Sequence, residues 1–344
     1  MPADRPTELI PGKLGFVKVF MAGRGGAKRS NAKLDEGDKN VIQSFDPAGG
    51  AASCFLLFVL PPPRTLRIVR PCPGFNFRKA KPSEVLFSVD ESPTAHQALV
   101  CKEAPADSSM VLVNVSPVDY ASLLLVPQLD KGLPQVLDKH AIGLAIALQL
   151  AMSSTTQNFR MGFNGLGGFA SVNHMHFQGY FFLEHGLPGQ GQRGLPVEAA
   201  KTSLLSSTAS HSIAELKGYP VPGLVFSTAL SMAADDEARE VFSRAVMACV
   251  QHLLDANIPH NLLLSPHREG NKPGFRIFVL PQRSFVRTDP YEIGPAFPEI
   301  SGFMIVKREE EFRAMDEAAA ERILARVALR PTQFAAIRAK CGAL

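Results

Sequence analysis

The sequence predicts an antiparallel α+β fold. Three observations lead to it. Short apolar runs rich in β-branched residues recur along the chain, two long segments carry apolar residues at helical spacing, and strand–helix–strand units of the kind a parallel sheet needs are scarce. Each half of the chain also shows strands, then a helix, then a pair of strands. Helices are therefore expected to pack on an antiparallel sheet made of two related halves. The N-terminal domain is expected over 1–195 and a C-terminal α+β domain over 196–344.

The elements follow in order. "LIPGKLGFVKVF" (9–20) reads as a turn and a short strand, and "AGRGGAKRS" (22–30) as a basic surface loop. That loop lacks the Gly-Lys-Ser/Thr ending of a phosphate loop. Residues 49–74 join an apolar run to three prolines and several arginines. They read as an atypical insertion, packed poorly and outside the sheet. "EVLFSVDE", "SMVLVNVSP" and "ASLLLVPQ" are strands, the last stopped by Pro127. Residues 134–152 are a helix. After a glycine turn, the stretch up to Phe182 is a strand, and "EHGLPGQGQRGLP" is a loop. "GLVFSTAL" is a strand. Residues 234–256 are an amphipathic helix with acids in its first turn. "HNLLLSP" and "FRIFVLPQ" are strands around a basic turn, and "AMDEAAAERILARVAL" (314–329) is a helix.

Composition narrows the classes of function. The chain has 344 residues, 46% hydrophobic and 20% charged, with a net charge of +4. That is the make-up of a globular protein, with too little positive charge for a nucleic-acid partner. No apolar run is long enough for a membrane span, and the N-terminus has no secretory signal. The five cysteines form no CxxC pair. A disulfide framework and a zinc knuckle are not expected, and a reducing compartment fits.

The chemistry concentrates in "FNGLGGFASVNHMHFQGYFF" (163–182). In a strand, residues two apart share a face. His174, His176 and Gln178 therefore share one face, and Met175 and Phe177 face the core. Three readings fit this pattern: the solvated face of an ordinary sheet, a metal-binding histidine pair, or nucleotide chemistry. The glycines bear on the choice. "NGLGG" lets backbone approach a ligand and can offer N–H groups to a phosphate. A histidine facing phosphate is a competent nucleophile at neutral pH, and the P–N bond it forms is labile.

"GFNGLGGFASVNHMHFQGYFF" resembles the histidine-triad superfamily, in the His-x-His-x-Gln form of its transferase branch. More narrowly, the chain resembles the GDP-L-galactose phosphorylase / GDP-D-glucose phosphorylase family. "VLVNVSPVDYASLLLVP", "YPVPGLVF", "NIPHNLLLS", "FRIFVLPQRS" and "EISGFMIVKREEEF" match blocks of that family in the same order, from residue 9 to about 330. The resemblance implies a histidine-triad-like sheet, with 1–195 as the catalytic domain. It implies a nucleotidyltransferase in which His176 attacks the α-phosphorus of a GDP-hexose. A guanylyl-histidine then passes to inorganic phosphate, a co-substrate, with no resident cofactor or metal. His174 would support the site. Gln178 would hydrogen-bond a phosphoryl oxygen without acting as an acid or base, which favours phosphorolysis over hydrolysis. Ser171, Asn164, Gly167 and Gly168 would bind substrate. For Ser171 and Asn164 the alternative is a turn residue bonding its own backbone.

Gln178 and "EISGFMIVKR" are similar to the plant branch, whose reaction serves L-ascorbic acid biosynthesis. GDP-L-galactose is therefore the expected substrate. GDP-D-glucose phosphorylase, GDP-sugar hydrolase and an inactive nucleotide-binding regulatory protein are the alternatives. The implied setting is cytoplasmic, with the nucleus as a second location, as a monomer or homodimer without nucleic-acid or membrane partners. Two departures stand out. Ala121-Ser122 occupies the family's Gly-His, and "PVEAAK" replaces "PVEKAP".

Overall fold

A computed structural model describes residues 6–22, 76–89, 108–153, 156–182, 194–229, 231, 235–269, 272–284, 292–342 and 344. The 49–74 segment, and the basic loop after Ala22, lie outside the described residues.

Ten strands form one antiparallel sheet. In chain order the first half supplies β3 (Val85–Val89), β4 (Ser109–Val113), β5 (Tyr120–Val126), helix α1 (Lys139–Ser153), β6 (Phe159–Asn164) and β7 (Phe177–Phe181). The second half repeats the plan with β8 (Lys201–Ser207), β9 (Ser212–Lys217), β10 (Leu224–Ala229), helix α2 (Asp236–Asp255), β11 (His260–Glu269) and β12 (Lys272–Pro281). The order across the sheet is β3-β4-β5-β7-β6-β11-β12-β10-β9-β8. It reads the same from either edge once each strand is exchanged for its counterpart. The two related halves meet where β6 pairs with β11, with Asn164 opposite Asn261 and Gly162 opposite Leu263.

Side-chain alternation gives the sheet two apolar faces. Met161, Phe163, Met175, Phe177, Leu262, Leu264, Ile277 and Val279 are buried with α1, α2 and the C-terminal helix. Tyr180, Phe182, Leu263, Phe278 and Leu280 are buried on the other face. A three-stranded sheet covers that face. In it β1 (Thr7–Leu9) runs antiparallel to β2 (Val17–Phe20), and β2 runs parallel to β13 (Phe303–Val306). Short helices accompany it: α3 (Phe297–Ile300), α4 (Glu309–Ala314) and α5 (Glu317–Ala325). The C-terminal helix is α6 (Pro331–Cys341). No helix among the described residues is long and apolar enough to cross a membrane.

Local chemistry sets the boundaries. Asp138 accepts the N–H of Ala141, so α1 starts at Lys139 and not at residue 134 as its apolar spacing suggested. Asp235 caps α2 in the same way, and Asp236 and Glu237 fill the first turn. The helix expected over 314–329 is shorter, Glu317–Ala325, because Ala314 closes the separate helix α4. Asp316 turns its carboxylate back to the N–H of Ala319 and starts α5 afresh. Pro266 and Pro273 are tolerated in long strands because they lie beyond the β6 and β10 pairings, where no ladder bond is lost.

Candidate active site

The motif residues lie at the start of β7, on the face opposite α1 and α2. The hydrogen-bonded strand begins only at Phe177, so His174 and His176 sit in the extended lead-in and not within the strand. The alternation expected of a strand persists there. Met175 and Phe177 are fully buried in the helix-side core, while the histidines turn the other way against Phe77.

The lead-in is held by residues 133–135. Met175 N–H donates to Leu133 O at 2.7 Å, and Gln135 N–H donates to the side chain of Asn173 at 3.0 Å. The Gln135 amide is itself a clamp. Its Nε2 donates to the carbonyls of Asn164 and His176, both at 3.0 Å, and its Oε1 accepts His176 N–H at 2.8 Å. One buried side chain thus joins the end of β6 to the start of β7. The sequence carries no local sign of this, because Gln135 falls in a stretch read as helix.

His176 is 4% exposed, and its Nδ1 lies 2.8 Å from His174 O and 3.0 Å from Gln135 Oε1. Both neighbours are acceptors, so Nδ1 carries the proton and Nε2 keeps its lone pair. Nε2 makes no hydrogen bond among the described residues. His174 has the opposite tautomer. Its Nδ1 accepts Phe77 N–H at 3.0 Å, so Nε2 bears the hydrogen, and that buried N–H has no partner among the described residues. Both imidazoles are pushed down to about 4. Burial is the main cause for each; for His174 the neighbouring His176 and Arg78 add to it, and for His176 the bond to His174 O opposes it. Both rings are therefore neutral near pH 7. Phe77 lies against both, with ring centroids 5.5 Å from His174 and 4.9 Å from His176. Phe77, Arg78 and Gln135 are site neighbours that motif reading alone does not single out.

The other expected residues are placed as follows. Gln178 is half-buried on β7 and is paired in register with Gly162 and Leu124. Asn164 is buried at the end of β6, where its Oδ1 accepts Phe297 N–H at 2.7 Å. That oxygen anchors α3 and makes no bond to its own turn. Ser171 is exposed on the loop leading to the motif. Gly168 donates its N–H to Gly165 O at 2.9 Å, and a Cβ there would collide with the Asn261 side chain. Gly167 adopts φ +75°, which favours glycine, and a Cβ there would press on Pro259. What these two glycines visibly do is seat the loop against the start of β11.

The arrangement is a neutral imidazole with a free Nε2, its other nitrogen pinned to a backbone carbonyl, beside a neutral amide. It can deliver an electron pair to an electrophile and stabilise the imidazolium that results.

The chain is similar to known proteins. Residues 65–180 match the family model described as GDPGP1-like, N-terminal domain, and residues 196–344 match GDPGP1-like, C-terminal domain. GDP-L-galactose phosphorylase 1 of Arabidopsis thaliana is 32% identical over 347 residues, covering 97% of this chain and 66% of that protein. GDP-D-glucose phosphorylase 1 of Bos taurus is 30% identical over 350 residues, covering 99% of this chain and 77% of that one. The crystal structure of yeast Ap4A phosphorylase Apa2 superposes with a TM-score of 0.56 at 14% identity, covering 96% of this chain and 90% of that one, a likeness of fold. The chain spans about two thirds of the Arabidopsis protein's length. With both family models matched in order, and relatives at 30% identity or more aligned over nearly its whole length, this chain belongs to the GDPGP1-like family.

Proposed function

We propose that this chain is a GDP-hexose phosphorylase acting through a guanylyl-histidine on His176. The observation that supports this best is the tautomer of His176. With Nδ1–H held by His174 O, Nε2 is an available lone pair at neutral pH. In the first step Nε2 bonds to the α-phosphorus of the GDP-sugar, and the bond from that phosphorus to the bridging oxygen breaks. The hexose leaves as its 1-phosphate. The positive charge that develops on the ring is stabilised by the Nδ1–H···O bond. In the second step an oxygen of inorganic phosphate attacks the same phosphorus, the P–N bond breaks, and GDP leaves. Gln178 hydrogen-bonds a phosphoryl oxygen but takes no proton, so water gains no base from it. His174 supports the nucleophile through its backbone carbonyl.

L-Galactose is the hexose proposed first, because Gln178 and the "EISGFMIVKR" block resemble the plant branch. The relatives' names divide between GDP-L-galactose and GDP-D-glucose. The test is a product assay with GDP-L-galactose, GDP-D-glucose and GDP-D-mannose, with and without phosphate, joined to intact mass of the quenched protein. The unaltered chain is expected to gain the mass of a GMP adduct when phosphate is withheld. His176→Ala should gain none and should lose turnover by about 10³-fold or more. An adduct on His176→Ala would show that the nucleophile is another group. Binding of GDP-sugar without adduct or product would make the chain a nucleotide-binding protein and not an enzyme.

A further inference from the structure

The partner that an imidazole keeps on one nitrogen decides how basic the other is. At His176 that partner includes a neutral amide. The Gln135 side chain is 1% exposed, and its hydrogen-bonding capacity is fully used. Nε2 donates to the carbonyls of Asn164 and His176, while Oε1 accepts His176 N–H and lies 3.0 Å from Nδ1 of the same residue. Only one orientation of the amide satisfies these contacts, because the reverse would set N–H against N–H. Oε1 therefore faces the Nδ1 hydrogen as a second acceptor, beside His174 O at 2.8 Å.

The neutrality of this second acceptor has a chemical consequence. Among the described residues no carboxylate lies within hydrogen-bond reach of His176. The titratable groups around it are His174, itself neutral near pH 7, and Arg78, whose charge acts on His174. A carboxylate on Nδ1 would hold the ring as an imidazolium and make it cling to phosphorus. An amide stabilises the positive ring less. It supports the charge while the P–N bond forms and still lets the ring leave as a neutral imidazole.

We propose that Gln135 is a positioning residue that keeps Nε2 the reacting nitrogen and sets how long the guanylyl group stays on His176. This rests on His176 being the nucleophile of the function proposed above. When the Nε2–P bond forms, the bond from phosphorus to the bridging oxygen breaks, and Nδ1 keeps its hydrogen between its two acceptors. When a phosphate oxygen then bonds to phosphorus, the electron pair of the P–N bond returns to Nε2. No proton leaves the ring in either step, so an acceptor that takes none suits both.

The test uses the full chain with isotope-labelled histidine, and the variants Gln135→Glu and Gln135→Met. Leu133 O and the backbone N–H of residue 135 still anchor the motif lead-in in both, since neither bond uses the side chain at 135. Nuclear magnetic resonance follows the His176 ring without substrate, its signal identified by its loss in His176→Ala. Gln135→Glu should raise the proton affinity of the ring about tenfold or more, the usual effect of an adjacent opposite charge. Gln135→Met should speed exchange of the Nδ1 hydrogen with water about tenfold, through loss of one acceptor. With the GDP-hexose that the unaltered chain turns over, intact mass should show the Gln135→Glu adduct decaying in phosphate about tenfold more slowly. A purely structural residue would lower the folded fraction and leave these values unmoved. If both variants leave the ring's titration and exchange unchanged, or if the adduct decays at the unaltered rate, the proposal is wrong. Should neither variant fold, the unaltered chain decides: a slowly exchanging hydrogen on Nδ1 supports the proposal, and a hydrogen on Nε2 overturns it. Absence of any adduct on the unaltered chain would overturn the proposed function instead, while the ring measurements still show whether Gln135 acts on His176.

Discussion

At the residue scale, the site is governed by where two imidazole protons sit. An unfolded histidine takes up a proton near pH 6.5, whereas His174 and His176 in the folded chain resist until about 4. Because the folded pKa values are depressed, the unfolded state binds more protons between these limits. Stability is therefore full above about pH 6.5 and is lost as pH falls toward 4. His176→Ala removes one such group. Between pH 7.5 and 5.5 the unaltered chain should lose about 1 kcal/mol more stability than the variant, measured by urea unfolding at both values. Equal losses would mean that His176 titrates normally in the folded state. Gln178 carries the next prediction. Gln178→His leaves Nε2 of His176 untouched, so the GMP adduct should still form. An imidazole can assist water where an amide cannot, so the GMP-to-GDP product ratio at fixed phosphate should rise, with ~10²–10⁴-fold as the usual range of such assistance. An unmoved ratio would sever the link between glutamine and phosphorolysis. The placement of Met175 and Phe177 behind the motif was legible from a period of two. The Gln135 clamp was not. It bonds backbone atoms 29 and 41 residues away, and no local pattern encodes such a contact.

At the element scale, the strands and helices with strong periodicity stand where their patterns put them. The misplacements have physical reasons. A carboxylate cap at Asp138 or Asp316 outranks apolar spacing in deciding where a helix begins. β8 carries mostly exposed residues on an edge strand, so it offers no alternation to read. One element bears a cost that sequence comparison foreshadowed. Ala121 occupies a position where the resembled family has glycine, and in the structure it has φ +48°, at the irregularity where β5 shifts register against β7 between Tyr120 and Leu123. A Cβ at positive φ is strained, and glycine relieves it. Ala121→Gly should therefore stabilise the chain by roughly 0.5–1 kcal/mol, the reverse of the usual effect of glycine in a strand. Thermal unfolding of the pair decides the point; a lower midpoint for the glycine variant would show that the bulge carries no such strain.

At the scale of the whole molecule, two related halves share one sheet. Each half repeats strands, helix and hairpin, which is the pattern the sequence carries. What the pattern could not show is that β6 and β11 pair across the boundary. Strand register between halves depends on contacts about a hundred residues apart. The apolar face against α1 and α2 is continuous across this seam: Met161 and Phe163 from β6 pack in one cluster with Leu262 and Leu264 from β11. The N- and C-terminal segments are also joined, since β2 pairs in parallel with β13. Removing either half would expose a row of unpaired backbone groups on β6 or β11 and the apolar surface beside them. The chain should therefore unfold as one cooperative unit. Hydrogen exchange during urea unfolding should show peptides from β6 and from β12 losing protection at the same midpoint. A fragment spanning residues 1–195 should associate or aggregate through its open β6 edge, seen as a shift to larger species on size-exclusion chromatography. Two separated midpoints, or a monomeric folded 1–195, would show that the halves are independent domains that merely lie side by side.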